Sequence, residues 1–176
     1  VPGDTCTVVA VSPDGSLPQF AVRAVAHFYR DMEKTLYECP INAACVEDDA
    51  YQEVSTAVGQ LLIPVVGEGQ YICTGTLLAN AANGENQPYF LSAHHCFDGD
   101  VDVPGVIVFW DYRAADCDGS DVPDLWDPSQ VPRSAGKALL AHDACLDGEF
   151  IELDSAPVGA LGRAWAGWDT RALEAG

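Results

Sequence analysis

Two imidazoles stand side by side in the run Tyr89-Phe-Leu-Ser-Ala-His-His-Cys96, where a short apolar stretch gives way to Ser92, Ala93, His94, His95 and Cys96. Histidine is the side chain that takes up and returns a proton near neutral pH. A serine hydroxyl is a weak nucleophile under those conditions and needs such a base. The base in turn needs a carboxylate on its other ring nitrogen to fix one tautomer. Carboxylates are plentiful, with 27 Asp and Glu in the chain. Serines occupy positions 12, 16, 55, 92, 120, 129, 134 and 155, and none sits in a Gly-Asp-Ser-Gly or Gly-x-Ser-x-Gly setting. The consecutive residues His94, His95 and Cys96 do not converge easily on one ion, and no Cys-x-x-Cys pair occurs, so no metal site and no cofactor are expected. His27 and His142 have no partner motif and read as structural or surface residues.

Short apolar stretches punctuated by turn residues must hold these groups in place. Candidate strands cover residues 19–28, 54–66, 71–78, 89–92, 106–112, 137–141 and 150–153, rich in Val, Ile, Phe, Tyr and Trp and separated by Gly, Pro, Asn and Asp. Their number and spacing point to an all-β barrel or sandwich. Helical periodicity is confined to a short turn at 93–96 and helix-like residues around 30–37. Between 116 and 132 five aspartates alternate with Gly119, Pro123, Pro128 and Pro132, a composition that breaks a strand ladder and reads as a long exposed loop.

With 8 Lys and Arg against 27 acids, the net charge of −19 argues against a nucleic-acid partner and against an anionic membrane surface. The longest apolar run, around 58–66, is interrupted by Gly59, Gln60 and Pro64 and cannot span a bilayer. Seven cysteines without a metal-binding spacing indicate a disulfide framework formed in an oxidising compartment, so the expected location is secreted or periplasmic. Because seven is odd, at least one thiol is free or pairs outside the chain.

The segment Tyr71-Ile-Cys-Thr-Gly-Thr-Leu-Leu-Ala-Asn80, followed by Tyr89 to Cys96, resembles the first half of trypsin-like serine peptidases, where a cysteine-bearing strand precedes an Ala-His-Cys turn. The doubled histidine is most similar to the bacterial lysyl endopeptidase branch. So are Cys39-Pro-Ile-Asn-Ala-Ala-Cys45-Val-Glu47, the stretch from Val106-Ile-Val-Phe-Trp-Asp-Tyr112 to Cys117, and Ala164-Trp-Ala-Gly-Trp-Asp169. The resemblance implies the first antiparallel β-barrel of a two-barrel fold over 39–165, with 166–176 leading toward a second barrel. Residues 1–38, which do not match, read as the β-hairpin tail of an upstream pro-domain.

By that resemblance the general base is the histidine directly before the cysteine, His95, with His94 as a packing or hydrogen-bonding neighbour. The orienting carboxylate opens a later strand with apolar residues at +3, +4 and +6. Asp147 fits through Phe150, Ile151 and Leu153, whereas Asp143 does not. Gly148 and Glu149 depart from the family pattern, and a second carboxylate so close could perturb the pair. The resemblance further implies Cys73–Cys96 and Cys45–Cys117 bridges, with Cys39 bonded to the absent half. The nucleophilic serine, the oxyanion donors and the specificity pocket belong to that second barrel. The expected function is therefore part of a secreted serine endopeptidase acting on peptide or protein substrates, with the C-terminal barrel of the same protein as partner. A binding module that kept the barrel and lost the chemistry is the alternative.

Overall fold

Among the described residues the chain forms six strands, most of them carrying β-branched or aromatic residues: β1 (Val58–Val65), β2 (Gly69–Leu77), β3 (Tyr89–Ser92), β4 (Ile107–Trp110), β5 (Arg133–Asp143) and β6 (Gly148–Leu153). The computed structural model describes residues 42–81, 87–119, 121–159 and 162–171. The chain divides into Val1–Pro40 and Ile41–Gly176, and every described residue lies in the second unit. The expected hairpin strand at 19–28, the helix-like residues at 30–37, Cys6 and Cys39 fall outside the described residues.

Every strand pairing is antiparallel, and the order β1-β2-β3-β6-β5-β4 closes on itself into a barrel. Closure removes the unpaired strand edges that an open sheet would leave. The period of two along each strand sends one set of side chains inward. Leu61, Ile63 and Val65 from β1 meet Leu77, Phe90, Val108, Trp110, Ile151 and Leu153 in one core. Each large side chain fully buried there contributes about 1.5–3 kcal/mol. Phe90 and Trp110 meet edge to face with ring centroids 5.7 Å apart, and the Trp110 indole donates to Ser134 Oγ at 2.8 Å. The buried polar end of the indole thus has an acceptor. Gly75 matters sterically: a Cβ there would lie 2.2 Å from the Phe90 ring and 2.6 Å from the Leu91 carbonyl oxygen.

Three expectations about elements need correction. The strand at 54–66 starts later, because Val54 and Ser55 end a short helix, α1 (Asp49–Ser55). Asp48 caps that helix by accepting the Tyr51 amide at 2.8 Å, a local signal at the N-terminus of an element too short to show periodicity. The strand at 137–141 is longer, running from Arg133 to Asp143 with two register shifts against β6. The 116–132 loop is acidic and largely exposed but not merely solvated. Leu125 and Val131 are buried, the Trp126 ring meets Phe109 edge-on at 5.9 Å, and Arg133 donates to the carbonyls of Leu125 and Trp126.

Candidate active site

The double-histidine segment is held at both ends. On its N-terminal side, β3 finishes at Ser92, a buried residue whose hydroxyl donates to the Thr74 carbonyl on β2 at 2.9 Å. Ala93 continues extended, and His94–Phe97 then form a single 3-10 turn. On the C-terminal side Cys96 and Phe97 are buried, and Cys96 is bonded to Cys73 of β2 with Cα atoms 6.2 Å apart. What remains outside is His95, whose side chain is 72% exposed.

Asp147 arrives from the neighbouring hairpin, as the last residue of the turn between β5 and β6, the strand that pairs with β3. Its φ of 52° lies in the left-handed region, which aspartate tolerates better than most side chains. That conformation interrupts the strand alternation just before Gly148. Asp147 and Glu149, two positions apart, would share one face of a continuous strand. The interruption instead leaves Asp147 on the rim while Glu149 faces inward with Ile151 and Leu153.

The side chains of His95 and Asp147 are in direct contact. Asp147 Oδ2 lies 2.7 Å from His95 Nδ1, and Asp147 Oδ1 accepts the His95 backbone N–H at 2.9 Å. The Asp147 carbonyl also accepts the His94 amide at 3.1 Å. The carboxylate therefore grips both the ring and the backbone of the residue it orients. The His95 backbone amide first, and then its ring, hold the Asp147 carboxyl below its ordinary value, against the opposing effect of burial. An ionised carboxylate can only accept, so Nδ1 carries the ring proton and Nε2 is left as the basic nitrogen. A groove of about 500 Å³ lies beside the ring, lined by Glu68, Tyr71, Ile72, Cys73 and Asp98 among others.

His94 diverges from its neighbour. Its Nδ1 lies 2.8 Å from Oε2 of Glu149, a carboxylate whose side chain is only 4% exposed. The hydrogen bond to Glu149 raises the His94 pKa above the ordinary imidazole value; burial opposes this, and the negative charges of Glu149, Asp98 and Asp147 add to it. A carboxylate buried without a partner would be costly, and His94 supplies the partner. The extra acid that could have disturbed the His95–Asp147 pair is turned away from it. His142, which had no partner in the sequence, stands opposite Glu149 across the β5–β6 ladder, with its ring edge-on to His94 at 5.4 Å. Nothing in the sequence marks that pairing, because it depends on strand register.

Among the described residues, the bridges Cys73–Cys96 and Cys45–Cys117 are present and Cys145 is a free, exposed thiol. No described serine bonds to His95: Ser55, Ser92, Ser129, Ser134 and Ser155 each hydrogen-bond elsewhere. A larger hollow of about 820 Å³, lined by Gln52, Asp111, Arg113 and Asp121 among others, includes neither His95 nor Asp147.

The model of the family described as the lysyl endopeptidase C-terminal domain matches residues 35–176. A lysyl endopeptidase from Pseudomonas aeruginosa is 29% identical over 182 residues, an alignment covering 94% of this chain. The chain spans 39% of that relative's length. The crystal structure of a thermostable serine protease from an extremophilic microorganism aligns with 57% of this chain and 44% of its own, at 17% identity and a TM-score of 0.38.

Proposed function

The chain belongs to the lysyl endopeptidase C-terminal domain family, and from that premise we propose that it supplies the general base and its orienting carboxylate to a serine endopeptidase. The carrying observation is the contact between His95 Nδ1 and Asp147 Oδ2 at 2.7 Å. In this reading His95 Nε2 takes the proton of a serine hydroxyl as that oxygen attacks the peptide carbonyl, then returns it to the leaving amine. Asp147 holds the productive tautomer and stabilises the imidazolium that forms in between. The attacking serine, the oxyanion donors and the specificity pocket come from a second barrel outside this chain. Two observations support that division: the described serines are engaged elsewhere, and the chain spans 39% of its relative. Peptide and protein substrates follow from the acyl-transfer chemistry, and bonds after lysine are the ones to test first, given the relative's name. The two disulfides suit a protein that works in a secreted or periplasmic setting.

The test is hydrolysis of a lysyl peptide by the complete protein carrying both halves, against His95→Ala and Asp147→Asn variants. Asparagine keeps the shape but favours the wrong tautomer, so kcat should fall by about 10⁴-fold with the fold intact. Turnover within a few-fold of the parent in Asp147→Asn would remove that residue from the mechanism. The 176-residue chain by itself should show no turnover; burst release of product from a lysyl ester would contradict the division of labour.

A further inference from the structure

Behind the His95–Asp147 pair, His94 from the turn after β3 comes together with His142 and Glu149 from the two strands of the β5–β6 hairpin. One donor atom from each lies within 4.8 Å of the other two. We propose that these three side chains form a binding site for a divalent transition-metal ion of the zinc class.

An ion pair accounts for His94 and Glu149, which are 2.8 Å apart, but not for the second imidazole brought against them. His142 is there because of register. Leu139 pairs with Ile151 and Ala141 with Phe150, so one β5 residue is skipped, and His142 rather than Ala141 falls opposite Glu149. Directly opposed residues project from the same face of a ladder, which aims His142 toward the Glu149 side chain. Its ring then stands edge-on to His94, at an interplanar angle of 77°. Two imidazole nitrogens and a carboxylate oxygen make a borderline donor set suited to zinc, cobalt or nickel rather than to calcium or magnesium. Ligand bonds of about 2.0–2.2 Å place tetrahedral donors about 3.3–3.5 Å apart. The His94–Glu149 pair must therefore open slightly to admit the ion, which displaces the proton they share. His142, exposed near the tip of the β5–β6 hairpin, is the ligand placed to swing inward, leaving a fourth position for water. The other grouping of metal-binding residue types, Cys73, His95 and Cys96, offers no such set because both sulfurs are locked in a disulfide.

The test is isothermal titration of the disulfide-intact 176-residue chain with zinc chloride after alkylation of free thiols. Cobalt(II) absorption of the same protein reports coordination number. The expected result is one equivalent bound with a low-coordinate cobalt spectrum. Affinity should fall at least about tenfold in His142→Ala, an exposed site that leaves the core intact, and likewise in the near-isosteric Glu149→Gln. His95→Ala should bind as the parent does. Absence of saturable binding, binding retained in either ligand variant, or binding lost in His95→Ala would overturn the assignment.

Discussion

Replacing Arg163 by methionine probes how the segment after the barrel is fastened to it. The Arg163 side chain is 1% exposed, and its guanidinium spans several partners. Nη1 and Nη2 reach the two Asp111 oxygens at 3.1 and 2.9 Å, Nε donates to the Pro157 carbonyl at 2.9 Å, and Nη1 also donates to the Thr56 carbonyl. The guanidinium carbon sits 4.6 Å from the centroid of the buried Trp110 ring. Methionine keeps the apolar stem but leaves a mostly buried carboxylate and two carbonyls without their donor. Breaking a buried pair on one side costs about 3–5 kcal/mol. For a unit of about 140 residues the unfolding entropy is about 0.3 kcal/mol per K, so the melting temperature should drop by about 10–17 °C. Urea denaturation followed by circular dichroism, with disulfides intact, measures the free energy directly. Asp111→Ala should also destabilise, and the double variant should cost less than the two single losses together, because both charges are then gone. A loss under about 1 kcal/mol for Arg163→Met, or strict additivity in the double variant, would refute the view that these groups act as one desolvated unit.

Gly75→Ala should destabilise by about 1–3 kcal/mol in the same assay, since the new methyl must displace both the Phe90 ring and the β3 backbone; an unchanged denaturation midpoint would show that the β2–β3 contact is softer than drawn. Cys73→Ala with Cys96→Ala opens a bridge across 23 residues, worth about 3.4 kcal/mol in chain entropy, and Cys45→Ala with Cys117→Ala opens one across 72, worth about 4.4 kcal/mol. Both double variants should therefore unfold at clearly lower urea than the parent, and a midpoint equal to the parent's would contradict the entropic account. Asp127 is held below its usual pKa by the Ser129 hydroxyl first, then by the Ser129 amide and the Gln130 side chain. A depressed folded pKa contributes stability that is present above the unfolded value of about 3.9 and fades as pH falls through the folded one. The stability gap between the parent and Asp127→Asn should accordingly narrow from neutral pH toward strong acid; a gap independent of pH would assign its origin to something other than the carboxylate.

Strands such as β3 and β6 were legible because a strand writes its period of two and its residue types into a few consecutive positions. The residues at 89–92 match the expected strand, and those at 150–153 fall within β6. The turn carrying His95 was legible for the same local reason, and the resemblance pointed to Asp147 and to both disulfide pairs. Helix α1 was not legible, because a seven-residue helix held by the Asp48 cap has no amphipathic repeat to recognise. The relation among His94, His142 and Glu149 was not legible either. Whether His142 faces Glu149 depends on a one-residue register shift in β5, and whether Asp147 sits on the rim depends on a left-handed backbone angle. Sequence by itself determined the residue types, the strand content and the acidic surface, which arise from neighbours along the chain. Only the closed barrel decided that Glu149 meets His94 and lies opposite His142, because cross-strand neighbours are set by pairing, bulges and closure, and none of these is encoded within a single strand.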